Sequence, residues 1–440
     1  MYHAHKLRGS LCVSAAVILL TASLCACNSS TSTGGDDSKG NLPITTESSA
    51  IGTEDSSSST GEADPSTGTT EDGTTTTNSH GTDPITTTSR REEPVTTTSA
   101  PKSHQLTLSL EQWHPGVAGY DAEYTIVPVM DDQLVGAKQM KYTSSASEVR
   151  ISGNTVTIPY SVRSKGQPVT ITGTESATGA KAAVSIACKS WTSTFADEFN
   201  GTSVDSSKWG THEEGGGGTI SATYRNNATV ADGKLSLWVK KETVTINGKT
   251  FDYTQGGIST LGRFTQKYGL FTCSMKIPKQ SSLNSAFWMI PRGAYGSTYM
   301  LYEKTKNSKG CGELDIVEAS GYWGKKYCIT EHFYDTKMNK EHTSKHLYPE
   351  LNVNPAETFV EYSCAWLENG LYYYADGKLV WLDTDIGDIG GSNGQKTGRP
   401  GYLILTLGLY APDHTWCGPW EFKDSDFPIA LEVDFARAYK

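Results

Sequence analysis

Three carboxyl groups stand within six residues in the run Glu313-Leu314-Asp315-Ile316-Val317-Glu318, interleaved with three apolar residues. In a strand the side chains at i and i+2 share a face, so Glu313 and Asp315 project together while Leu314 and Ile316 turn toward a core. The offset of five sends Glu318 to the wrong face of a regular strand. One extra residue, a β-bulge at Ile316-Val317, brings it back, and bulges are over-represented beside active sites because they re-aim a side chain. Crowded like charges raise one carboxyl pKa and hold that group protonated near neutrality. A carboxylate beside a protonated carboxyl is the pair that glycoside hydrolysis uses, one attacking the anomeric carbon and the other protonating the leaving oxygen. A retaining reaction needs the two about 5 to 5.5 Å apart, whereas five residues of straight strand span roughly 15 Å. Curvature and inward-leaning side chains have to close that gap.

Other chemistry has weaker support. His342 and His346 lie four apart in a charged, loop-like stretch without H-E-x-x-H, which argues against a metal site. The glycines at 215–218 are followed by no Gly-Lys-Ser/Thr, and no G-x-S-x-G nucleophile turn occurs.

The acidic run sits in a region, residues 191–440, that holds nine of the ten tryptophans. Strand-like runs recur there between Gly, Asn and Asp turns, at 234–239, 268–277, 286–290, 314–317, 371–374, 402–409 and 430–435. No amphipathic segment of helical period and length interrupts them, so the expected fold is all-β, a two-sheet sandwich. Residues 104–190 read as a second, small all-β domain, immunoglobulin-like, in which Leu106, Leu108 and Leu110, then Val156, Ile158 and Tyr160, alternate with polar neighbours. With no cluster of exposed aromatics to serve as a sugar platform, it reads as a spacer in preference to a carbohydrate-binding module.

Residues 28–103 carry 12 acidic and 4 basic side chains in a Ser/Thr-rich composition with almost no aromatics. Such a segment cannot bury enough apolar area to offset the entropy of ordering, and residues 27–103 are expected to be a disordered linker with a reach of about 50 Å. Of the net charge of -10, the linker holds -8 and the first 27 residues +2, so residues 104–440 carry only -4. A near-neutral body without a basic stripe excludes nucleic acid as the expected partner. Lys6 and Arg8, an apolar run at 11–24 and then Cys25-Ala26-Cys27 have the order of a signal peptide, residues 1–26, and the run is too short to span a bilayer. Leu24-Cys25-Ala26-Cys27 resembles the bacterial lipobox, which implies lipidation of Cys27 and a lipid-anchored protein on the extracellular side of a bacterial membrane. Membrane contact would be through that anchor alone, and the protein is expected to be a monomer. Cys188, Cys273, Cys311, Cys328, Cys364 and Cys417 then remain, as up to three disulfides with fifteen possible pairings or as buried thiols; no C-x-x-C pair suggests zinc.

Over nearly all of 192–440 the sequence resembles family 16 glycoside hydrolases in their bulged, laminarinase-like form. The acidic run is similar to that family's catalytic signature. Residues 195–201 (FADEFNG) with Trp209 resemble its opening strand, and Gly257-Ile258-Ser259-Thr260, Tyr268-Gly269, Ile277-Pro278 and Ala286-Phe287-Trp288-Met289 its central sheet. Residues 374–379 (YADGKL) and 431–435 (LEVDF) are similar to its later strands. The resemblance implies a concanavalin-like β-jelly roll with a concave cleft and endo-acting, retaining hydrolysis. It implies Glu313 as nucleophile, Glu318 as general acid/base and Asp315 as the residue that orients and tunes the nucleophile. Trp288 and Trp416 are expected as sugar platforms and His332 as a cleft histidine, with a core tryptophan or a structural histidine as the alternatives. The resemblance also implies a structural calcium at Glu198, Gly233 and Asp434, where an oxygen-only site suits that ion, with Asp434 as a plain surface residue the alternative; the chemistry itself needs no cofactor. The implied substrate is a polysaccharide, β-1,3- or mixed β-1,3/1,4-glucan, with a β-linked galactan-type polymer, or a non-catalytic carbohydrate-binding sandwich, as the alternatives. Two departures bear on the substrate: Thr272-Cys273 where the family commonly has Glu, and Cys311 where some relatives have a subsite tryptophan. Both are expected to alter the glycone subsites.

Overall fold

The computed structural model describes residues 103–211, 214–215, 220–291, 310–335, 340–384 and 400–440. The expected signal peptide, the lipidated Cys27 and the linker up to residue 102 lie outside the described residues, as do the glycines 216–218 and the side chains of Cys311 and His342.

Residues 104–190 form two small sheets. One runs Leu106–Leu110, Ala122–Met130, Thr155–Ile158, Arg150–Ser152, and the other Met140–Ser144, Val169–Glu175, Lys181–Ile186. Alternation decides which side chains face inward: Ala122, Tyr124 and Ile126 on one strand meet Val156, Ile158, Val169, Ile171 and Ile186 in a common core. Arg163 is fully buried beside that core. Its guanidinium donates to the carbonyls of Pro115 at 2.8 Å and Tyr120 at 2.7 Å and to that of Val117, which fixes the loop 115–120.

Residues 191–440 fold as a β-jelly-roll sandwich. The outer sheet pairs Lys234–Ile246, Ile429–Tyr439, Gly269–Lys276, Val360–Leu367, Gly370–Ala375 and Lys378–Asp383. The inner sheet pairs Lys249–Ser259, Gly401–Leu409, Leu283–Pro291, Gly310–Ala319, Cys328–Asp335 and Lys340–Leu347. All these neighbours are antiparallel. Between the sheets lies one apolar core that includes Leu237, Phe271, Phe287, Leu314, Ile316, Val317, Ile329, Trp366 and Leu405.

The strand Gly370–Ala375 is buried along its whole length, on both faces. Its second face is covered by the small domain and the junction after it: Tyr372 and Tyr374, with Leu270 and Ala365, pack on Val117 and on the junction residue Trp191. The Tyr374 hydroxyl accepts from the Gly116 N–H at 3.2 Å, and Tyr120 Oη donates to Glu361 at 3.0 Å. The turn glycine Gly377 has φ +76, and a Cβ there would meet the Tyr120 ring at 2.2 Å, so the turn presses its bare backbone against that ring. A segment expected as a spacer is therefore packed against the sandwich.

Thr272 belongs to this contact. It lies on the outer sheet, where its hydroxyl donates to the same Glu361 at 2.6 Å and accepts from Ser363 at 2.9 Å, while Cys273 points into the core. The expectation that Thr272-Cys273 alters the glycone subsites is thus corrected: consecutive residues of an outer strand face the core and the small domain, and neither reaches the concave side.

Candidate active site

The bulge is present and sets the site. Across the inner sheet Glu313 lies opposite His332, Asp315 opposite Thr330 and Glu318 opposite Cys328, with a register shift between Asp315 and Glu318. Five steps on the catalytic strand match four on its partner. On the other side Asp315 faces Trp288 and Glu318 faces Ala286, so three residues match two. The extra residue restores the parity, and Glu313, Asp315 and Glu318 share the concave face while Leu314, Ile316 and Val317 are buried in the core.

Because directly opposed residues share a face, the register also identifies the neighbours. Trp288 stands beside Asp315 on the concave side, away from the sandwich core. Its indole N–H donates to Thr406 at 3.2 Å, and its ring packs beside Ile290, Tyr402 and Ile404. His332 Nε2 is 3.0 Å from Asp315 Oδ2 and 4.0 Å from Glu313 Oε1. Asp315 is buried, whereas Glu313 and His332 are half-buried. Ligand atoms of these three lie within 4.8 Å of one another, and the 3.0 Å His332–Asp315 approach makes them a close acid–imidazole pair.

Glu318 is held by two donors: Asn284 Nδ2 to Oε1 at 3.0 Å and Thr330 Oγ1 to Oε2 at 2.8 Å. Burial, followed by the charge of Asp315, pushes its pKa up to about 8, with Thr330, His332 and Asn284 pulling the other way. Desolvation and a like charge favour the neutral acid more than two hydrogen bonds favour the anion. The strand thus carries an acid protonated at neutral pH a few residues from the half-exposed Glu313.

Asn284, Thr330 and His346 had no signature of their own in the sequence. Each arrives by cross-strand register: Asn284 lies two residues from Ala286 on one strand, Thr330 opposes Asp315, and His346 opposes Thr330 from the next strand. The stretch holding His342 and His346 is the strand Lys340–Leu347, not the expected loop. A polar Asn four residues before Trp288, on the same face by alternation, was the one usable signal.

Beyond Glu318 the chain turns at Gly321–Trp323 and meets a group of aromatic rings. Trp323 and Trp416 are perpendicular with centroids 4.9 Å apart, Tyr348 lies 5.8 Å from Trp323, and Tyr410 lies 6.0 Å from Trp416. The Trp323 N–H donates to the Trp416 carbonyl at 3.1 Å. Gly418, at φ +87, leaves room for Tyr322, whose ring a Cβ there would meet at 2.3 Å. Trp416 is thus one member of a half-exposed aromatic wall that includes Tyr322, Trp323 and Tyr348, which the sequence reading did not single out.

At the far edge, Glu198, Gly233 and Asp434 are carried by neighbouring segments. Asp434 lies at a register shift in Ile429–Tyr439, between Val433, which pairs with Leu235, and Ala436, which pairs with Asp197. A Cβ on Gly233 would meet Asn200 Oδ1 at 3.4 Å. The Glu198 carboxylate is bound by Arg437 through both oxygens, at 2.8 and 2.6 Å, which holds its pKa below the ordinary value. Arg437 occupies both Glu198 carboxylate oxygens, which leaves the Asp434 carboxylate as the charged oxygen group of the three for an ion of the calcium type. Cys188, Cys273, Cys328, Cys364 and Cys417 are all free thiols, four of them buried, so among the described residues the thiol alternative holds and no disulfide forms.

Residues 191–440 match the family model described as "Beta-porphyranase A-D, GH16 domain". The chain is 27% identical over 269 residues to glucan endo-1,3-beta-glucosidase A1 of Niallia circulans, covering 56% of this chain and 37% of that protein. It is 23% identical over 261 residues to the keratan-sulfate endo-1,4-beta-galactosidase of Sphingobacterium multivorum, covering 59% and 57%. Among solved structures, the laminarinase catalytic domain from Thermotoga maritima MSB8 aligns with a TM-score of 0.47 at 25% identity, over 57% of this chain and 99% of that one. The chain spans about a third to three fifths of the length of these two curated relatives.

Proposed function

From the premise that this chain belongs to glycoside hydrolase family 16, we propose that it is an endo-acting, retaining β-glycanase working by double displacement. The observation that carries this reading is the asymmetry of the two glutamates: Glu318 kept protonated by burial and by Asp315, and Glu313 half-buried on the same face. Glu313 attacks the anomeric carbon as Glu318 passes its proton to the leaving oxygen, giving a glycosyl-enzyme ester. Glu318, now ionised, takes a proton from the water that cleaves the ester. Asp315, paired with His332, orients Glu313 and keeps Glu318 protonated. Two carboxyl groups suffice, so the reaction needs no cofactor. Trp288 supplies a sugar platform on the Glu313 side, and the wall containing Trp416 one on the Glu318 side, since an indole face packs on the apolar face of a pyranose.

The substrate is a β-linked polysaccharide. A β-1,3- or mixed-linkage glucan is the first reading, by likeness to the glucanase relative. A β-linked galactan is the second, favoured by the porphyranase description of the matching family model. Calcium at Glu198, Gly233 and Asp434 would serve as a structural ion. We further read Cys27 as a lipid attachment site that holds the protein on the outside of the membrane, on the strength of its Leu24-Cys25-Ala26-Cys27 context.

The test is a panel of laminarin, mixed-linkage glucan, agarose, carrageenan and porphyran assayed for reducing ends, with proton NMR of the first-formed anomer. Glu313→Ser is expected to abolish turnover and keep binding, while Glu318→Ala retains activity on aryl glycosides with good leaving groups. Binding without release of reducing ends from any polymer would identify a lectin instead.

A further inference from the structure

The Thr330 hydroxyl has three polar neighbours on the concave side of the sheet: Glu318 Oε2 at 2.8 Å, His346 Nδ1 at 3.2 Å and Cys328 Sγ at 3.3 Å. A hydroxyl offers one proton and two lone pairs. If its proton goes to the shortest contact, Glu318, each remaining neighbour can bond to it only as a donor, and the Cys328 thiol has a second acceptor in the Ile329 carbonyl at 3.7 Å. Cys328 can do so, because burial and the Glu318 charge push its thiol pKa up to about 12 and keep S–H intact. His346 can do so only with a proton on Nδ1.

We infer that His346 is a positioning residue: by donating from Nδ1 to Thr330, it fixes the Thr330 proton on the ionised Glu318 carboxylate. The inference rests on the acid/base reading of Glu318. Without the imidazole donor, the Thr330 proton is free to turn toward other acceptors, and the Glu318 anion loses part of a hydrogen bond. A bond donated to the charged form lowers a carboxyl pKa, so His346 restrains the rise that burial and Asp315 cause. That restraint matters in the second half of the reaction, when the same group must act as an ionised base. The groups that face Glu318 are Asp315 on its own strand, Asn284 on one neighbour, and Cys328, Thr330 and His332 on the other, with His346 behind Thr330 and Tyr348 and Cys417 on adjoining loops. Of these, only His346 and Cys328 are bonded to the Thr330 hydroxyl, and Cys328 carries no charge.

Two readouts test it. The Glu318 carboxyl is titrated by carbon-13 NMR in glutamate-labelled protein, with Glu318→Gln assigning the resonance, and kcat/KM is followed against pH. His346→Leu is expected to raise the Glu318 midpoint by about half a pH unit, the size of one modest hydrogen bond, and to move the alkaline limb of kcat/KM up with it. His346→Asn, whose amide N–H replaces Nδ1–H, is expected to restore both. In a Thr330→Val background His346→Leu should add nothing. An unmoved midpoint, or an equal shift in the Thr330→Val background, overturns the relay, as does a loss of activity that is uniform across pH. If the NMR midpoint moves and the kinetic limb does not, the relay stands and the acid/base assignment of Glu318 fails.

Discussion

Asp315→Asn gives a direct reading of how the site keeps Glu318 protonated. The register places Asp315 and Glu318 two ladder positions apart, opposite Thr330 and Cys328, which is about 6.6 Å of backbone at about 3.3 Å per position. Two unit charges at that separation and an effective dielectric near 20 repel by about 2.5 kcal/mol, or roughly 1.8 pH units. His332, 3.0 Å from Asp315, neutralises part of that charge whenever it is protonated, so the working expectation is a fall of about 1 to 1.5 units. The sign follows from the reaction: Glu318 must be protonated to cleave, so kcat/KM falls as pH rises through its pKa of about 8. In Asp315→Asn that alkaline limb should move down to near 7, and no further toward the ordinary glutamate value, because burial is the larger cause and survives the substitution. The assay is kcat/KM on an aryl glycoside or soluble polysaccharide between pH 5 and 9. A limb that stays in place, or an activity loss of equal size at every pH, would refute the assignment of Asp315 as the charge that tunes Glu318.

Arg163→Leu should destabilise the protein by about 3 kcal/mol or more, because it leaves the carbonyls of Pro115, Val117 and Tyr120 without their buried donor; chemical denaturation measures it. Trp416→Ala should raise KM for polysaccharide several-fold, with little change in hydrolysis of short aryl glycosides that do not reach the aromatic wall. Calcium should raise the melting temperature and a chelator reverse it, with Asp434→Ala abolishing the response and leaving kcat unchanged.

Much of this was legible because alternation is a local property. The parity of Leu314 and Ile316 against Glu313 and Asp315 fixed a strand and its faces, and the single offset of five to Glu318 required the bulge that the ladder contains. Strands such as Gly370–Ala375 and Gly401–Leu409 announced themselves through apolar runs. Lys340–Leu347 did not: it carries one apolar residue, so no period marked it, and His346 passed for a loop residue. Asn284, Thr330 and His346 converge on Glu318 only through pairing between strands, which spacing along the chain does not encode. Thr272 was misplaced for a related reason, since a position can be typed by its neighbours in sequence without revealing which sheet its strand joins.

The same register traces a chain of contacts from the domain on the outer sheet to the cleft in the inner one. Glu331 lies between Thr330 and His332 on the strand beside the catalytic one, so when its neighbours face the concave side it must face the sandwich interior. There it is fully buried, and Tyr373 of the outer sheet donates to it at 2.8 Å. Tyr373 sits between Tyr372 and Tyr374, whose opposite-facing rings are covered by Trp113 and Val117 of the small domain and by Trp191 at the junction. Interiors packed at crystal density transmit displacement instead of absorbing it. The contacts therefore run without a break from the small domain through the strand of Tyr373 to Glu331, the residue between Thr330 and His332.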